Sequence, residues 1–290
     1  MVSINLSGKH ALVTGVADDG GFGWAIAKSL KAAGAKVYLG CHPRVVGIVE
    51  KLLRRAGSAA GRVLPYGVEG EFQPDAIIPC DVEFDTNEDI PADRREVKGY
   101  DGDVSIAGCM NALKEKAGGL DIIIHAVAFS PEIAASHLET SRKAYLAALS
   151  ISSYSLVALA RAALPLMEGR EGSVVGLSYI GGERVVPYYG GGMSSAKAAL
   201  EHDARQVAYF VGDKGHRVNI ISAGPFPSRA ARSIGDIGTM IQHVSEKSPL
   251  RRPISAEQVA DATLFLCSPL AAGITGEVIH VDSGYHVMGV

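Results

Sequence analysis

Cysteine is scarce in this chain. Only Cys41, Cys80, Cys109 and Cys267 occur in 290 residues, and no two form a C-x-x-C pair. Thiols scattered in this way exclude a disulfide framework and fit a reducing compartment. The nine histidines include no H-x-x-x-H spacing and no Cys/His cluster, so no metal centre is expected. Positive charge is not in excess: 28 Lys and Arg face 31 Asp and Glu, and no basic block points to nucleic acid. No apolar run reaches the roughly 18 residues of a membrane span, because Gly, Ser or charge interrupts the longest candidates. The chain opens almost directly into a strand, with no secretory or transit segment to read, and a removed presequence would leave no trace. Internal repeats are missing too.

What is present is apolar material in regular alternation. Hydrophobic residues make up 47% of the chain, enough for a sizeable core. Seven short apolar runs read as strands: His10–Gly15, Lys36–Cys41, Asp75–Val82, Leu120–Ala128, Gly172–Tyr179, His216–Pro225 and Gly276–Gly284. Helical patterns separate them, notably Trp24–Gly34, about Ser141 to Met167 and about Met193 to Val211. Continuous Val/Ile/Leu runs mark strands covered on both faces, hence a parallel sheet. The expected fold is α/β: a single-domain, Rossmann-like, doubly wound parallel seven-stranded sheet with flanking helices. Two stretches break the rhythm. Residues 57 to 102 are polar and rich in Gly and Pro, and are read as surface excursions around the third strand rather than a second domain. Residues 226 to 252 are long for a connection and are read as a substrate lid.

The loop "TGVADDGGFGWAIA" follows the first strand and opens the first helix. A dinucleotide pyrophosphate sits at such a place, against a helix N-terminus reached across small residues. Gly15, Gly21 and Gly23 fall in an unusual Gly-x5-Gly-x-Gly spacing. The second strand ends in "GCHPR", with no acidic residue for the adenosine ribose. Arg44 suits a 2′-phosphate unless Pro43 aims it elsewhere, so these residues leave NADH and NADPH both open. Asp81, at the end of the third strand, is placed to meet adenine or to cap a turn.

The stretch "LSYIGGERVVPYYGGGMSSAKAALE" carries the chemistry. Ordinary Tyr-x-x-x-Lys spacing puts a tyrosine four residues before Lys197, where Met193 stands. Tyr189 precedes Lys197 by eight, which on a continuous helix would separate them by about 12 Å. Gly190, Gly191 and Gly192 permit backbone that a helix does not, so Tyr189 is expected ahead of the helix, folded back toward Lys197. A phenol can hydrogen-bond an oxygen on which charge develops. A nearby ammonium would lower the phenol and bind ribose hydroxyls. Tyr188 competes for the role by position.

These motifs, with "RVNIISAGPFPSRAARSIG" downstream, resemble the enoyl-acyl carrier protein reductases of the short-chain dehydrogenase/reductase superfamily, the plant and apicomplexan branch in particular. The resemblance runs from Gly8 nearly to the C-terminus. It implies NADH as cofactor and reduction of the trans-2 double bond of an enoyl-acyl carrier protein, the last reductive step of fatty-acid elongation. It implies catalytic roles for Tyr189 at the thioester carbonyl, Lys197 at the cofactor ribose and Tyr179 beside the acyl chain. Cofactor contacts would come from Gly15, Ala17, Gly21, Phe22, Gly23 and Trp24, from His42 and Asp81 near adenine, and from Ala126, Ala128, Ala223, Gly224, Pro225 and Ser228. The acyl or inhibitor pocket would involve Tyr179, Tyr189, Met193, Pro225, Ala230, Ala231 and Ile234. A homotetramer, triclosan sensitivity and a plastid or apicoplast stroma are implied as well. Phe129 departs from the asparagine common in that family, and Tyr188 from a small residue.

Two other readings discriminate on residues. A ketoacyl or other carbonyl reductase of the same superfamily needs a serine near the end of the fifth strand and Tyr-x-x-x-Lys; Ser178 exists but the tyrosine does not. A catalytically silent cofactor sensor could lose the Tyr/Lys pair, which is present. His125 reads as a core or rim histidine, and the apolar face of Ser152–Met167 as core or a subunit interface.

Overall fold

The computed structural model describes residues 4–55, 57, 59–228, 231 and 237–289. Seven strands, β1 (His10–Thr14), β2 (Lys36–Cys41), β3 (Ala76–Pro79), β4 (Ile122–His125), β5 (Ser173–Ser178), β6 (Arg217–Ala223) and β7 (Val278–Val281), form one sheet in the order β3-β2-β1-β4-β5-β6-β7. Every neighbouring pair is parallel. The order reverses between β1 and β4, and a doubly wound sheet opens a crevice beyond the strand ends at such a point.

Helices cover both faces. On one side α1 (Phe22–Ala32) and α10 (Ala256–Cys267) pack on Val13, Val37, Ile124, Val175 and Ile221. On the other, α5 (Ile106–Ala117), α7 (Ser155–Met167) and α8 (Met193–Gly212) pack on Leu12, Ile123, Val174 and Ile220. Neighbours such as Leu12 and Val13 serve opposite cores because successive strand side chains point to opposite faces. That is why these strands read as unbroken apolar runs.

Some elements depart from expectation. The strands β3 and β4 are shorter than their apolar runs, because the residues after Pro79 and His125 turn away as loops; Asp81 therefore lies past the end of β3. A helix at α5 is not among the expected elements, although Ser105 caps it through Gly108 N and Gly118 stops it at φ +68°. The pattern from Ser141 to Met167 is a continuous helix, but not a uniform one. It runs as α6 (Arg142–Leu149), a π-helical turn (Ser150–Tyr154) and α7. These 26 residues are long and apolar enough to cross a membrane by length and composition, a correction to the expectation that no segment qualifies. Their most apolar window is 56% buried inside the protein, as befits a core helix beside the sheet.

The polar stretch 57–102 has more structure than surface excursions require. Beyond α2 (Val46–Arg54), a short α3 (Ala59–Arg62) carries a buried Arg62, which binds Glu71 at 2.8 Å and the carbonyls of Leu52 and Arg55. Past β3, Phe84, Ile90, Tyr100 and Val104 form a small core of their own beside α4 (Ala92–Arg95).

All four thiols are free and buried. Burial pushes Cys41 and Cys267 up to about 12. Only the thiolate attacks a disulfide reagent. Native protein should therefore leave Ellman's reagent unreacted over minutes, and unfolding should release four thiols per chain; rapid native reaction would contradict the packing around β2 and β3.

Candidate active site

A cavity of about 590 Å³ opens beyond the C-terminal ends of the strands, along the point where the sheet order reverses. Its floor is the turn from β1 into α1. Gly15 takes φ +77°, and a Cβ there would stand 2.1 Å from the carbonyl oxygen of Ala126. Only glycine meets both demands. Gly21 caps α1 with no side-chain hydrogen bond, and the first turn holds no acid. The first N–H groups of α1 are thus left without a side-chain cap, an arrangement suited to an anion. Gly23, where a Cβ would come 3.1 Å from Val16, keeps helix and strand close. The donor set and the space fit a dinucleotide pyrophosphate.

Ala17, Phe22, Ala126 and Ala128 line the cavity as expected residues. Trp24 reaches it too, but the indole mainly serves the core. It is 2% exposed, its Nε1 donates to Gly61 O at 2.9 Å, and its ring meets Phe72 edge-on at 5.1 Å. Across the opening Phe22 lies 4.9 Å from Phe226, a partner the sequence patterns did not single out.

At the far end sits a polar corner. Tyr100 donates to Asp81 Oδ2 at 2.5 Å, and His42 Nε2 lies 3.4 Å from the same oxygen. Glu83 N donates to Asp81 Oδ1 at 3.1 Å, so Asp81 both caps a turn and faces the cavity. Burial works to raise this carboxyl, but the hydrogen bonds from His42, Tyr100 and Glu83 outweigh it and hold it below the usual range. Arg44 and Arg94 also reach this end of the cavity wall, and Arg94 lies 3.7 Å from Glu83. Tyr100 and Arg94 escape sequence reasoning because they lie within the polar stretch; a lone aromatic in "VKGYDGD" is their only signal.

The chemistry-bearing side chains meet on the opposite wall. Tyr179 follows β5, and its ring meets that of Tyr189 edge-on at 4.9 Å and 69°. Tyr189 lies before α8, not on it, and its N–H donates to Val186 O at 3.0 Å. The three glycines explain this. A Cβ on Gly190 would fall 1.8 Å from Ala135 O, and one on Gly191 2.4 Å from Ser130 Oγ. Gly191 and Gly192 hold φ +60° and +79°. The 130–136 loop clamps this turn: Gly191 N donates to Ala135 O at 3.0 Å, and Ser130 Oγ donates to Gly191 O at 2.7 Å. Tyr189 is 7% exposed and Tyr188 is 64% exposed; only the former lines the cavity.

Lys197, on the second turn of α8, is buried and donates through Nζ to Leu177 O at 2.8 Å. Burial lowers it to about 8, with Glu201 opposing. The Tyr189 phenol is pushed up, first by burial and then by Tyr179. That corrects the expectation of an ammonium-lowered phenol: Tyr189 is held neutral, as a proton-bearing donor.

Ala223, Gly224, Pro225, Ser228 and Ala231 complete the wall after β6, with Ile237 and Met240 from α9 (Ile237–Lys247) beside them. Met193 is a correction: it packs with Ala148, Tyr189 and Ala196 behind the wall and does not line the cavity. Ala230 and Ile234 lie outside the described residues. Phe129 lines the cavity while its N–H and carbonyl both bond Ser152 Oγ, at 2.9 and 3.1 Å, on the π-helical turn. Its backbone is thus held where the expected asparagine is missing. His125 is buried; Ser155 Oγ donates to Ile151 O, so His125 Nε2 donates to that hydroxyl at 2.7 Å. Burial, then Lys197, lower His125 to about 3, leaving a neutral core imidazole. Among the described residues no cluster of three or more metal-ligating side chains occurs.

Ser178 settles its own role: its hydroxyl donates to the buried Glu201 carboxylate at 2.5 Å. It is committed away from any substrate carbonyl.

Comparison with known proteins agrees with this geometry. Residues 98–286 match a family model described as Enoyl-(Acyl carrier protein) reductase. The chloroplastic enoyl-[acyl-carrier-protein] reductase [NADH] of Arabidopsis thaliana is 47% identical over 99% of this chain and 74% of its own. The crystal structure of the Plasmodium berghei enoyl-acyl-carrier-protein reductase with triclosan superposes with a TM-score of 0.91 at 38% identity, covering 97% of this chain and 98% of that one. The NADH-dependent enzyme of Aquifex aeolicus gives a TM-score of 0.81 at 40% identity over 98% of this chain and 99% of that structure.

Proposed function

Since this chain belongs to the enoyl-(acyl carrier protein) reductase family, we propose that Tyr189, Lys197 and Tyr179 carry the reaction for which its relatives are named. The activity is the NADH-dependent reduction of an enoyl-acyl carrier protein, the final step of type II fatty acid synthesis. The observation that carries the site assignment is the pairing of Tyr189 with Tyr179 at 4.9 Å on the same cavity wall as Lys197.

When bound, NADH supplies the hydride that C3 of the acyl chain accepts. The chain's own residues then have three tasks. The Tyr189 hydroxyl donates a hydrogen bond to the thioester oxygen, where negative charge collects as C3 is reduced; proton uptake at C2 completes the reduction. Burial keeps that phenol protonated, so it is always ready to donate. Lys197 holds the ribose hydroxyls with the N–H groups not used by Leu177 O. Tyr179 packs beside Tyr189 and the acyl chain, fixing the phenol's aim. The glycine turn seats the pyrophosphate, and the corner of His42, Asp81 and Tyr100 meets adenine. Ala223 to Pro225 border the nicotinamide.

The stretch 226–252 is read as a substrate lid, with Ala231 and α9 beside the acyl or triclosan site. The 290 residues act as a single reductase domain, with the stretch 57–102 completing the adenine end. The homotetramer rests on the family resemblance; the apolar side chains left exposed on α6, the π-helical turn and α8, namely Leu146, Tyr154, Tyr209 and Phe210, support self-association. A plastid location is supported by the chloroplastic relatives.

The test is loss of NADH absorbance with crotonyl-CoA as enoyl thioester, in wild type and Tyr189→Phe. Turnover that collapses in the variant supports the assignment, and full turnover overturns it. Lys197 adds a pH signature. Its folded value of about 8 lies below the ordinary 10.5. Between those values the unfolded chain holds more protons, so this group's contribution to stability rises with pH there. The ammonium that binds ribose is lost in the same window. NADH affinity of the free enzyme, read by calorimetry, should fall as pH rises through about 8; an affinity flat to pH 10 would contradict the ribose role.

A further inference from the structure

Lys197 and Glu201 sit one turn apart on α8, and both are buried, at 4% and 5% exposure. Residues at i and i+4 share a helix face, with Cβ atoms about 5–6 Å apart. Two consecutive residues of β5 hold them. Leu177 O accepts from Lys197 Nζ at 2.8 Å, and Ser178 Oγ donates to Glu201 Oε1 at 2.5 Å. The loop after β5 is shaped to admit that carboxylate: a Cβ on Gly182 would lie 3.0 Å from Glu201 Oε1. Among the described residues Lys197 and Glu201 make no direct ion pair: Nζ is directed to Leu177 O and Oε1 to Ser178. Their charges act through space, across a turn from which water is excluded, where they are weakly screened.

Burial alone favours the neutral amine. A neutral amine would have two N–H donors, and Leu177 O takes one. An ammonium has three, which leaves two for a ribose diol. Keeping the third proton is therefore part of the site's function. The other groups facing Lys197 cannot supply it: His125 from β4 is neutral, and the phenols of Tyr179 and Tyr189 are held protonated by burial. Glu201 is the acid acting on Lys197 among the described residues. Glu201 in turn faces Glu183, which bonds His280 of β7 at 2.8 Å, and Arg205 on its own helix. Burial, with Glu183 adding to it, holds its carboxyl above the usual range, and the Ser178 hydroxyl, Arg205 and His280 limit that rise and favour the charged form.

We propose that Glu201, pinned by Ser178, is a positioning residue that keeps Lys197 an ammonium within the buried cofactor wall. The inference rests on the reading of Lys197 as the ribose-binding group. The experiment is an NMR titration of the lysine side-chain carbons in the unliganded protein, with Lys197 assigned by its loss in Lys197→Met. In Glu201→Gln the Lys197 midpoint should fall by about one pH unit or more, a tenfold weaker hold on the proton. Ser178→Ala, which leaves the carboxylate in place but unpinned, should move it in the same direction by less, and serves if Glu201→Gln does not fold. A midpoint unchanged in whichever variant folds overturns the proposal. Calorimetric NADH titrations of the same proteins separate the two readings. A lowered midpoint without a matching shift in the pH limb of NADH affinity would leave the role of Glu201 intact and remove the ribose role of Lys197.

Discussion

Tyr189→Phe should lower kcat for an enoyl thioester by about 10²–10³, the usual effect of losing one donor to a developing oxyanion, while NADH affinity changes little. The physical reason is that the variant removes one hydroxyl and almost nothing else. The ring that meets Tyr179 at 4.9 Å stays, as does its packing on Met193 and Ala148. The phenol is held neutral by burial, so its loss removes a donor rather than a charge, and no pH adjustment should restore the rate. Tyr188→Phe is the matched control. That side chain is 64% exposed and off the cavity wall, so its rate should stay within about twofold of wild type, as for surface changes generally. A large loss in Tyr188→Phe with a small one in Tyr189→Phe would reverse the assignment.

Gly190→Ala should cost about 10² in kcat/KM, the scale expected when catalytic groups are displaced by about 1 Å, and should lower Tm as well. A methyl there would lie 1.8 Å from Ala135 O and 3.2 Å from Ile133 O, so the turn and the 130–136 loop cannot both keep their places. Whichever moves carries Tyr189 with it, because Tyr189 is the preceding residue and its carbonyl is bonded by Ser194 Oγ at 2.8 Å. NADH binding at the β1 turn should survive, which separates displacement of the phenol from general unfolding. Gly212→Ala, at the end of α8 with no atom within 4 Å of the added methyl, should leave kcat/KM and Tm essentially unchanged or raise Tm slightly.

These two variants also show which features were legible in the chain. The sheet was readable because helices cover both its faces, so each strand appears as an apolar run; the doubly wound order follows from their alternation with helices. The pyrophosphate turn was readable because Gly15 is forced by both φ and a close approach. The displaced tyrosine was readable because three glycines after it have no use inside a helix. What was not readable depends on packing between distant segments. The corner of His42, Asp81 and Tyr100 exists only once the polar stretch folds on its own small core. Phe226 becomes part of the site only across the opening from Phe22. The π-helical turn that presents Ser152 to Phe129 has no periodicity of its own inside a continuous helical pattern. Met193 stands at the familiar tyrosine position, yet its side chain is directed behind the wall because the glycine turn places Tyr189 in front of it. Trp24 follows the glycine loop in sequence, but its N–H is claimed by Gly61.

The most direct test of the account compares crotonyl-CoA with acetoacetyl-CoA as substrates for the wild-type enzyme and NADH, with NADPH in parallel. A wall that offers the neutral phenols of Tyr189 and Tyr179, with Ser178 committed to Glu201, predicts NADH-dependent reduction of the enoyl thioester and little or no turnover of the ketoacyl thioester. Reduction of acetoacetyl-CoA with no turnover of crotonyl-CoA would contradict it.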